Sequence, residues 1–376
     1  MNILQVMGCT SNQYASMERY LVHKAGRLSA AGGRLTVIYE NTPVCEAFIH
    51  DFVTAGGSLV RDRMTSYGDL GFFLRLRRII KTQEIDLVHA YFTPTCHAVG
   101  LFLRTTGLAP VVRTAANLPI PAGTEPTPRA RRHHQLMSRL VSRIICRSEG
   151  VREAYAKLGI PSWKLAVADG GCDTTEYRFR PDERRRLRAK FGATDSHVVL
   201  GVSCRLVPVK RLDRLLLRFS EMAKALPDLL LWIAGDGPER QRLEQRVRDL
   251  GMDRHVRFLG HQQDMAALYS AVDIFCLSSE AEGMSNSLLE AMASERPVLV
   301  SDIPPNRDVV VTGRGGYLVD FDSPGEVRDT LLALKSREVR DALGRFNRIQ
   351  VETRFSLASR ITQELDIYHQ VLERRS

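Results

Sequence analysis

Short apolar runs alternate along the chain with longer stretches whose apolar residues recur every three or four positions. In the first half NILQVM, RLTVIYE, DLVHAY, PVVRTA, RIICRS and KLAVAD read as strands. Amphipathic segments such as Met17–Ser29 and Gly71–Thr82 lie between them. The second half repeats the scheme with HVVLGVSC, LLLWIAG, HVRFLG, DIFCLSS, RPVLVSD and GGYLVD. Strands this continuously apolar are covered on both faces, and strands separated by helices pair in parallel. The pattern predicts an α/β protein of two Rossmann-like, doubly wound parallel-sheet domains. A length of 376 residues, beyond what one core usually serves, agrees with two.

The Gly-rich, polar segment DGGCDTTEYRFRPD (169–182) marks the boundary. It divides the chain into domain 1–172, domain 173–354 and a closing helical segment 355–376. Leu357, Ile361, Leu365, Ile367, Tyr368 and Leu372 are the apolar positions of that last segment. LPIPAGTEPTP (118–128) reads as an exposed loop.

Composition narrows the class. No run of about 18 apolar residues appears, which argues against a membrane-spanning helix. The opening MNILQVMGC has no basic segment before its apolar stretch and reads as a buried strand rather than a signal peptide. Seven cysteines stand singly, as expected of reduced thiols in a cytoplasmic protein.

The net charge of +10 is uneven: residues 1–170 carry 21 Lys+Arg against 12 Asp+Glu, and the remainder is nearly balanced. A basic first half suits the phosphates of a lipid-linked acceptor or an anionic membrane surface, against the plainer reading of a solvated basic face. No recognition module or stacking motif supports nucleic acid as a partner. No G-x-G-x-x-G follows a strand, which disfavours a dinucleotide oxidoreductase.

In open parallel sheets ligands sit beyond the carboxyl ends of the strands, so the loops leaving each strand hold the candidate chemistry. After HVVLGVSC come Arg205 and Lys210, two cations near the start of a helix. Such a pair suits a diphosphate, and it stabilises most the charge that builds on a departing nucleoside diphosphate. After DIFCLSS, Glu282 lies in a loop and Glu290 about two turns later, in a helix starting near Ser285 or Asn286. Small polar residues there cap the helix and leave backbone N–H groups to face an anion. The two carboxylates are too far apart for one acid–base pair, so separate roles are expected.

The run EGMSNSLLEAMA (282–293) resembles the Glu–seven–Glu signature of the family-four retaining glycosyltransferases of GT-B fold. The likeness extends in register to RLVPVKRLD with Arg205 and Lys210, to Gly235-Asp236-Gly237-Pro238, to FLG before His261, and to Gly170-Gly171-Cys172-Asp173. The resemblance implies a nucleotide-sugar donor, UDP-linked in most similar proteins, with no metal and no cofactor. Arg205 and Lys210 would hold its diphosphate, with Glu282 against the transferred sugar as the third catalytic residue. Glu290 would bind the ribose, and Gly235, His261 and the backbone around Met284, Ser285, Asn286 and Ser287 would complete the donor site.

The resemblance further implies that a hexose-type sugar passes, with retained anomeric configuration, to a glycan, glycolipid or lipid-linked acceptor. The setting would be cell-surface polysaccharide or glycoconjugate synthesis by a cytoplasmic enzyme peripheral to the inner face of the membrane. The closing helix would cross back onto the first domain.

The first half matches more loosely. Ala15-Ser16 stand where a Gly-Gly pair is usual, and Ala116-Asn117 where a His-Gly is. Gly8, Arg113 and Asn117 are the acceptor-side candidates. An epimerase of the same architecture and a non-catalytic nucleotide-sugar binder are the alternatives.

Four further signals are set aside. Asp320-Phe321-Asp322 sits at a strand edge and is not read as a metal site. His133-His134 point in different directions on a helix. His89 reads as a structural histidine. GFFLRLRRIIKT reads as a crossover helix packed on its sheet ahead of a membrane-dipping one.

Overall fold

The computed structural model describes residues 1–11, 14–91, 95–120 and 124–374. They form two compact units, Met1–Gly171 with Leu357–Ser376, and Cys172–Ser356. Each is built on a parallel sheet.

In the first unit the strands are β1 (Asn2–Val6), β2 (Arg34–Tyr39), β3 (Gly57–Arg61), β4 (Leu87–Ala90), β5 (Val111–Ala115), β6 (Arg143–Cys146) and β7 (Leu165–Val167). Their order is β3-β2-β1-β4-β5-β6-β7. In the second unit they are β8 (Val198–Ser203), β9 (Leu229–Ala234), β10 (Val256–Gly260), β11 (Ile274–Leu277), β12 (Val298–Ser301) and β13 (Gly316–Val319), ordered β10-β9-β8-β11-β12-β13.

Side chains alternate across a strand, and here both faces are apolar. Along β9, Leu231 and Ile233 enter one core with Leu200 and Val202 of β8. Leu230, Trp232 and Ala234 enter another with Val199. This double burial is why the strands read as unbroken apolar runs. The edge strands β3, β7, β10 and β13 are less buried, and of these β3 is the one that the apolar pattern does not reveal. It pairs only with β2, from Leu35↔Gly57 to Tyr39↔Arg61, and its first four residues are only partly buried. An edge strand needs less apolar sequence to form.

Helix Leu357–Glu373 belongs to the first unit. It buries Leu357, Ile361, Ile367, Tyr368 and Val371 in a cluster with Ile3, Tyr20, Leu21 and Leu35. Phe355, just before it, is wholly buried in a core of the second unit. Helix Leu70–Thr82 buries Phe72, Leu76 and Ile80, while Arg75 turns outward to Asp62 at 2.7 Å. Among the described residues no helix is long and apolar enough to cross a membrane. In the 118–128 segment, residues 121–123 lie outside the described residues, and 124–127 run without regular structure.

Candidate active site

Strands β8 and β11 are neighbours, with β9 and β10 on one side and β12 and β13 on the other. The order of connection reverses between them, which splays the loops leaving their carboxyl ends and opens a crevice. The loop after β8 carries Arg205 and Lys210, and the loop after β11 carries Glu282.

Lys210 closes a 3-10 turn, Pro208–Lys210, rather than opening the helix as the sequence pattern suggests; helix Leu212–Ala225 starts two residues on. Arg211 takes φ +50° at the junction. Three bonds strap this turn to the β11 loop. Ser278 Oγ donates to the Lys210 carbonyl at 2.8 Å, Glu280 N–H donates to the Val209 carbonyl at 3.0 Å, and Arg211 pairs with Glu280 at 2.9 Å. So held, Lys210 Nζ meets Glu282 Oε1 at 2.6 Å, with side chains 19% and 10% exposed. The partly buried Cys204 thiol beside them is pushed up to about 11 by desolvation, with Lys210 working against the rise and Glu282 adding to it.

Glu290 occupies the second turn of helix Asn286–Ala293, buried, and its Oε2 accepts from Tyr269 Oη at 3.0 Å. Burial first, and Glu290 second, keep that phenol well above its ordinary pKa, so it stays a donor. Ser285 caps the helix, its Oγ accepting from the Leu288 N–H at 3.4 Å and lying 3.0 Å from Ser287 Oγ. The first-turn N–H groups of this helix have no intrahelical acceptor and form its positive end.

Gly235 follows β9 with φ +119°, and a Cβ there would stand 1.9 Å from the Cys204 carbonyl oxygen. Its N–H donates to the Gly260 carbonyl at 2.8 Å. Gly235→Ala is therefore expected to displace the β8 and β9 loops and to destabilise the protein by about 2–3 kcal/mol. Denaturant unfolding monitored by circular dichroism measures that loss. His261 follows β10 and is exposed. Arg205 is exposed, and among the described residues its side chain forms no hydrogen bond or ion pair.

Of the acceptor-side candidates, Gly8 lies two residues beyond β1 with φ +58°, where a Cβ would lie 2.8 Å from Thr95 Oγ1. Arg113 lies within β5 and is only 6% exposed. Its guanidinium sits 5.2 Å from the Tyr155 ring centre, and Nε and Nη2 have no hydrogen-bond partner among the described residues. Burial and then Arg113 bring the neighbouring His97 down to about 4, so that imidazole is neutral at pH 7. Asn117 is exposed two residues beyond β5.

The residues singled out from sequence thus divide. Lys210 and Glu282 are in direct contact, Glu290 is paired with Tyr269, and Arg205, Gly235 and His261 stand at the ends of β8, β9 and β10. Sequence reasoning does not find Tyr269, Ser278 or Glu280. Tyr269 sits in MAALYSA, which reads as ordinary buried helix.

The signals set aside have explicit occupations. Asp320 Oδ1 accepts from the Asp322 N–H at 2.8 Å, Asp322 pairs with Arg214, and Phe321 is core. His89 is wholly buried between Tyr368 Oη and Thr114 Oγ1. The His133 and His134 rings are tilted 78° to one another.

Two Rossmann-like parallel-sheet units of this kind define the GT-B architecture. HepE from Anabaena, solved with UDP and glucose, has the same fold with a TM-score of 0.81 at 19% identity, over 98% of this chain and all of that one. Two family models match in tandem, "Glycosyltransferase Family 4" over residues 17–176 and "Glycosyl transferases group 1" over 183–349. The chain belongs to the family-four glycosyltransferases.

A GDP-mannose-dependent α-(1-6)-phosphatidylinositol monomannoside mannosyltransferase of Mycolicibacterium smegmatis is 28% identical over 65% of this chain and 66% of its own length. A UDP-Gal:α-D-GlcNAc-diphosphoundecaprenol α-1,3-galactosyltransferase of Escherichia coli is 23% identical, over 80% of this chain and 79% of that protein. The chain spans just under two thirds of the mycobacterial relative's length.

Proposed function

We propose that this protein transfers a hexose-type sugar from a UDP-sugar to a glycan, glycolipid or lipid-linked acceptor, retaining the anomeric configuration and using no metal. The observation that carries the reading is the Lys210–Glu282 pair at the β8/β11 switch point, with Glu290 held buried in the helix after the same loop. A lysine poised against a carboxylate can turn to an incoming diphosphate, and Arg205 offers a second, unengaged cation. Together they supply the positive charge that a metal supplies elsewhere, and they act most strongly as the leaving group becomes anionic.

Glu290 accepts hydrogen bonds from the ribose diol, with Tyr269 fixing its carboxylate. Glu282, released from Lys210, accepts from the sugar hydroxyls. No protein nucleophile is required, because an oxygen of the donor phosphate receives the acceptor's proton on the same face of the sugar. The first unit takes the acceptor, and the buried Arg113 suits an anionic one. The names of the relatives, with a phosphatidylinositol or a diphosphoundecaprenol acceptor, support that class. Action at the inner face of the membrane, in surface polysaccharide or glycoconjugate synthesis, follows from such acceptors.

A thermal-shift panel of UDP-, GDP- and ADP-sugars tests the donor. A ligand at 100 times its Kd adds about 2.7 kcal/mol to the folded state, and the UDP-sugars are expected to do so. If no nucleotide-sugar raises the transition, the reading fails. Glu290→Gln is expected to weaken UDP binding about tenfold, or about 1.4 kcal/mol, by calorimetry. Transfer, as opposed to epimerisation, is recognised by release of free UDP in step with acceptor glycosylation.

A further inference from the structure

A second site lies at the opposite end of the first unit's sheet. A cavity of about 390 Å³ opens where the chain enters β5, β6 and β7, reached by Pro110, Ser142 and Lys164 immediately before each strand. Ligands of the proposed transfer reaction belong beyond the carboxyl ends of the strands; this cavity is at the amino ends.

Its lining holds Arg104, Arg139, Arg143, Lys164 and Arg374, with Trp163 and no carboxylate. Among the described residues none of the five cations forms an ion pair with an acid. Arg104 donates to the Arg139 carbonyl at 2.6 Å, Arg143 to the Trp163 carbonyl, and Lys164 to the Ser138 and Val141 carbonyls at 2.8 and 2.7 Å. The side chains of Arg139 and Arg374 make no hydrogen bond at all among the described residues. Many other arginines of the chain do meet a carboxylate, among them Arg75, Arg152, Arg184 and Arg188.

Five unneutralised cations around one cavity repel one another. Burial and then Arg374 lower the Arg143 pKa, and burial and then Arg104 lower that of Lys164. A multivalent anion relieves this repulsion, and the planar forks of four arginines match phosphate oxygens better than a single carboxylate. At the rim Trp163 is 54% exposed, its ring centre 5.1 Å from Lys164 Nζ. Leu101 and Leu136 are exposed by 53% and 54%; Leu101 stands one turn before Arg104 on the same helix face, and Leu136 lies in the last turn of the helix that Arg139 caps.

We infer that this cavity binds a phosphate group, carried either by an anionic phospholipid headgroup or by a soluble phosphate compound, at a place separate from the sugar-transfer site. The inference does not depend on which sugar or acceptor the enzyme uses.

Trp163 is its own reporter, since the other tryptophan, Trp232, is buried in the second unit. The full chain is titrated with inorganic pyrophosphate, with phosphatidylcholine vesicles, and with phosphatidylcholine vesicles containing phosphatidylglycerol. Trp163 emission and co-sedimentation are followed. A saturable emission change is expected with at least one of the two anionic probes. Response to the phosphatidylglycerol vesicles alone, or more strongly to them, assigns a lipid headgroup; response to pyrophosphate alone assigns a soluble compound.

The Arg139→Gln/Arg374→Gln variant, which removes no hydrogen bond of the fold, is expected to weaken the response at least tenfold. Arg139→Lys/Arg374→Lys should retain most of it. The same charge removed from exposed Arg77 and Arg78 should change nothing. Silence of Trp163 toward both probes, wild-type response in the Arg139/Arg374 glutamine variant, or equal loss in the Arg77/Arg78 control overturns the inference.

Discussion

Lys210→Ala is expected to lower kcat by about 10²–10³-fold, the loss typical when one fixed group facing a developing oxyanion is removed. The ammonium lies 2.6 Å from Glu282 in a largely buried position, where its field is weakly screened. Its proposed work is to neutralise the diphosphate as the glycosidic bond breaks. The interaction therefore strengthens between ground state and transition state, and kcat should fall more than UDP-sugar affinity. Lys210→Arg keeps the charge but must place a wider fork in a turn tied down by Ser278 and Glu280, so partial activity is expected. Steady-state kinetics with matched circular dichroism measures the effect. A folded Lys210→Ala protein with near wild-type kcat would remove Lys210 from the mechanism.

Lys24→Met is expected to destabilise the protein by about 3–5 kcal/mol, the range for removing one partner of a buried ion pair. Lys24 and Glu364 come from helices at the two ends of the sequence, meet at 3.1 Å and are essentially inaccessible to water. The ammonium also donates to Gln5 Oε1 at 3.0 Å, Tyr20 Oη at 2.9 Å and Tyr368 Oη at 2.7 Å. Arg360 holds the other carboxylate oxygen at 3.2 Å. Burial disfavours the Glu364 carboxylate, but Lys24 and then Arg360 outweigh it and hold its pKa well below the usual range.

The sign follows. A depressed folded-state pKa contributes stability above the unfolded value of about 4.3 and loses it as pH falls below that. Without Lys24 the Glu364 pKa rises, so acid unfolding should begin at higher pH. Thermal scans should show the transition falling by roughly 10 °C. Lys24→Met combined with Glu364→Leu should recover part of the loss, because the stranded charge is gone. An unchanged melting transition in Lys24→Met would show that the network adds nothing to stability.

The order and type of most elements were legible in the sequence because burial of both faces of a parallel strand writes an unbroken apolar run, a purely local signature. β8 to β13 coincide with the six runs read from the second half. The EGMSNSLLEAMA segment likewise carries its own local instructions. Ser285 caps, helix Asn286–Ala293 follows, and Glu290 falls on its second turn. The edge strand β3, GSLVR, left no such mark, because only Leu59 and Val60 are apolar in it and two residues make no run.

What the tertiary structure alone decided is which polar group meets which. Tyr269 reaches Glu290 across 21 positions, Lys210 meets Glu282 across 72, and Lys24 meets Glu364 across 340. The basic cavity gathers Arg104, Arg139, Arg143, Lys164 and Arg374 from segments that look unremarkable in isolation. A hydrogen bond or ion pair depends on distances of a few ångströms between side chains, and nothing in the spacing of residues along a chain encodes them. Hydrophobic periodicity determined the sheets; only the folding of those sheets brought the charges together.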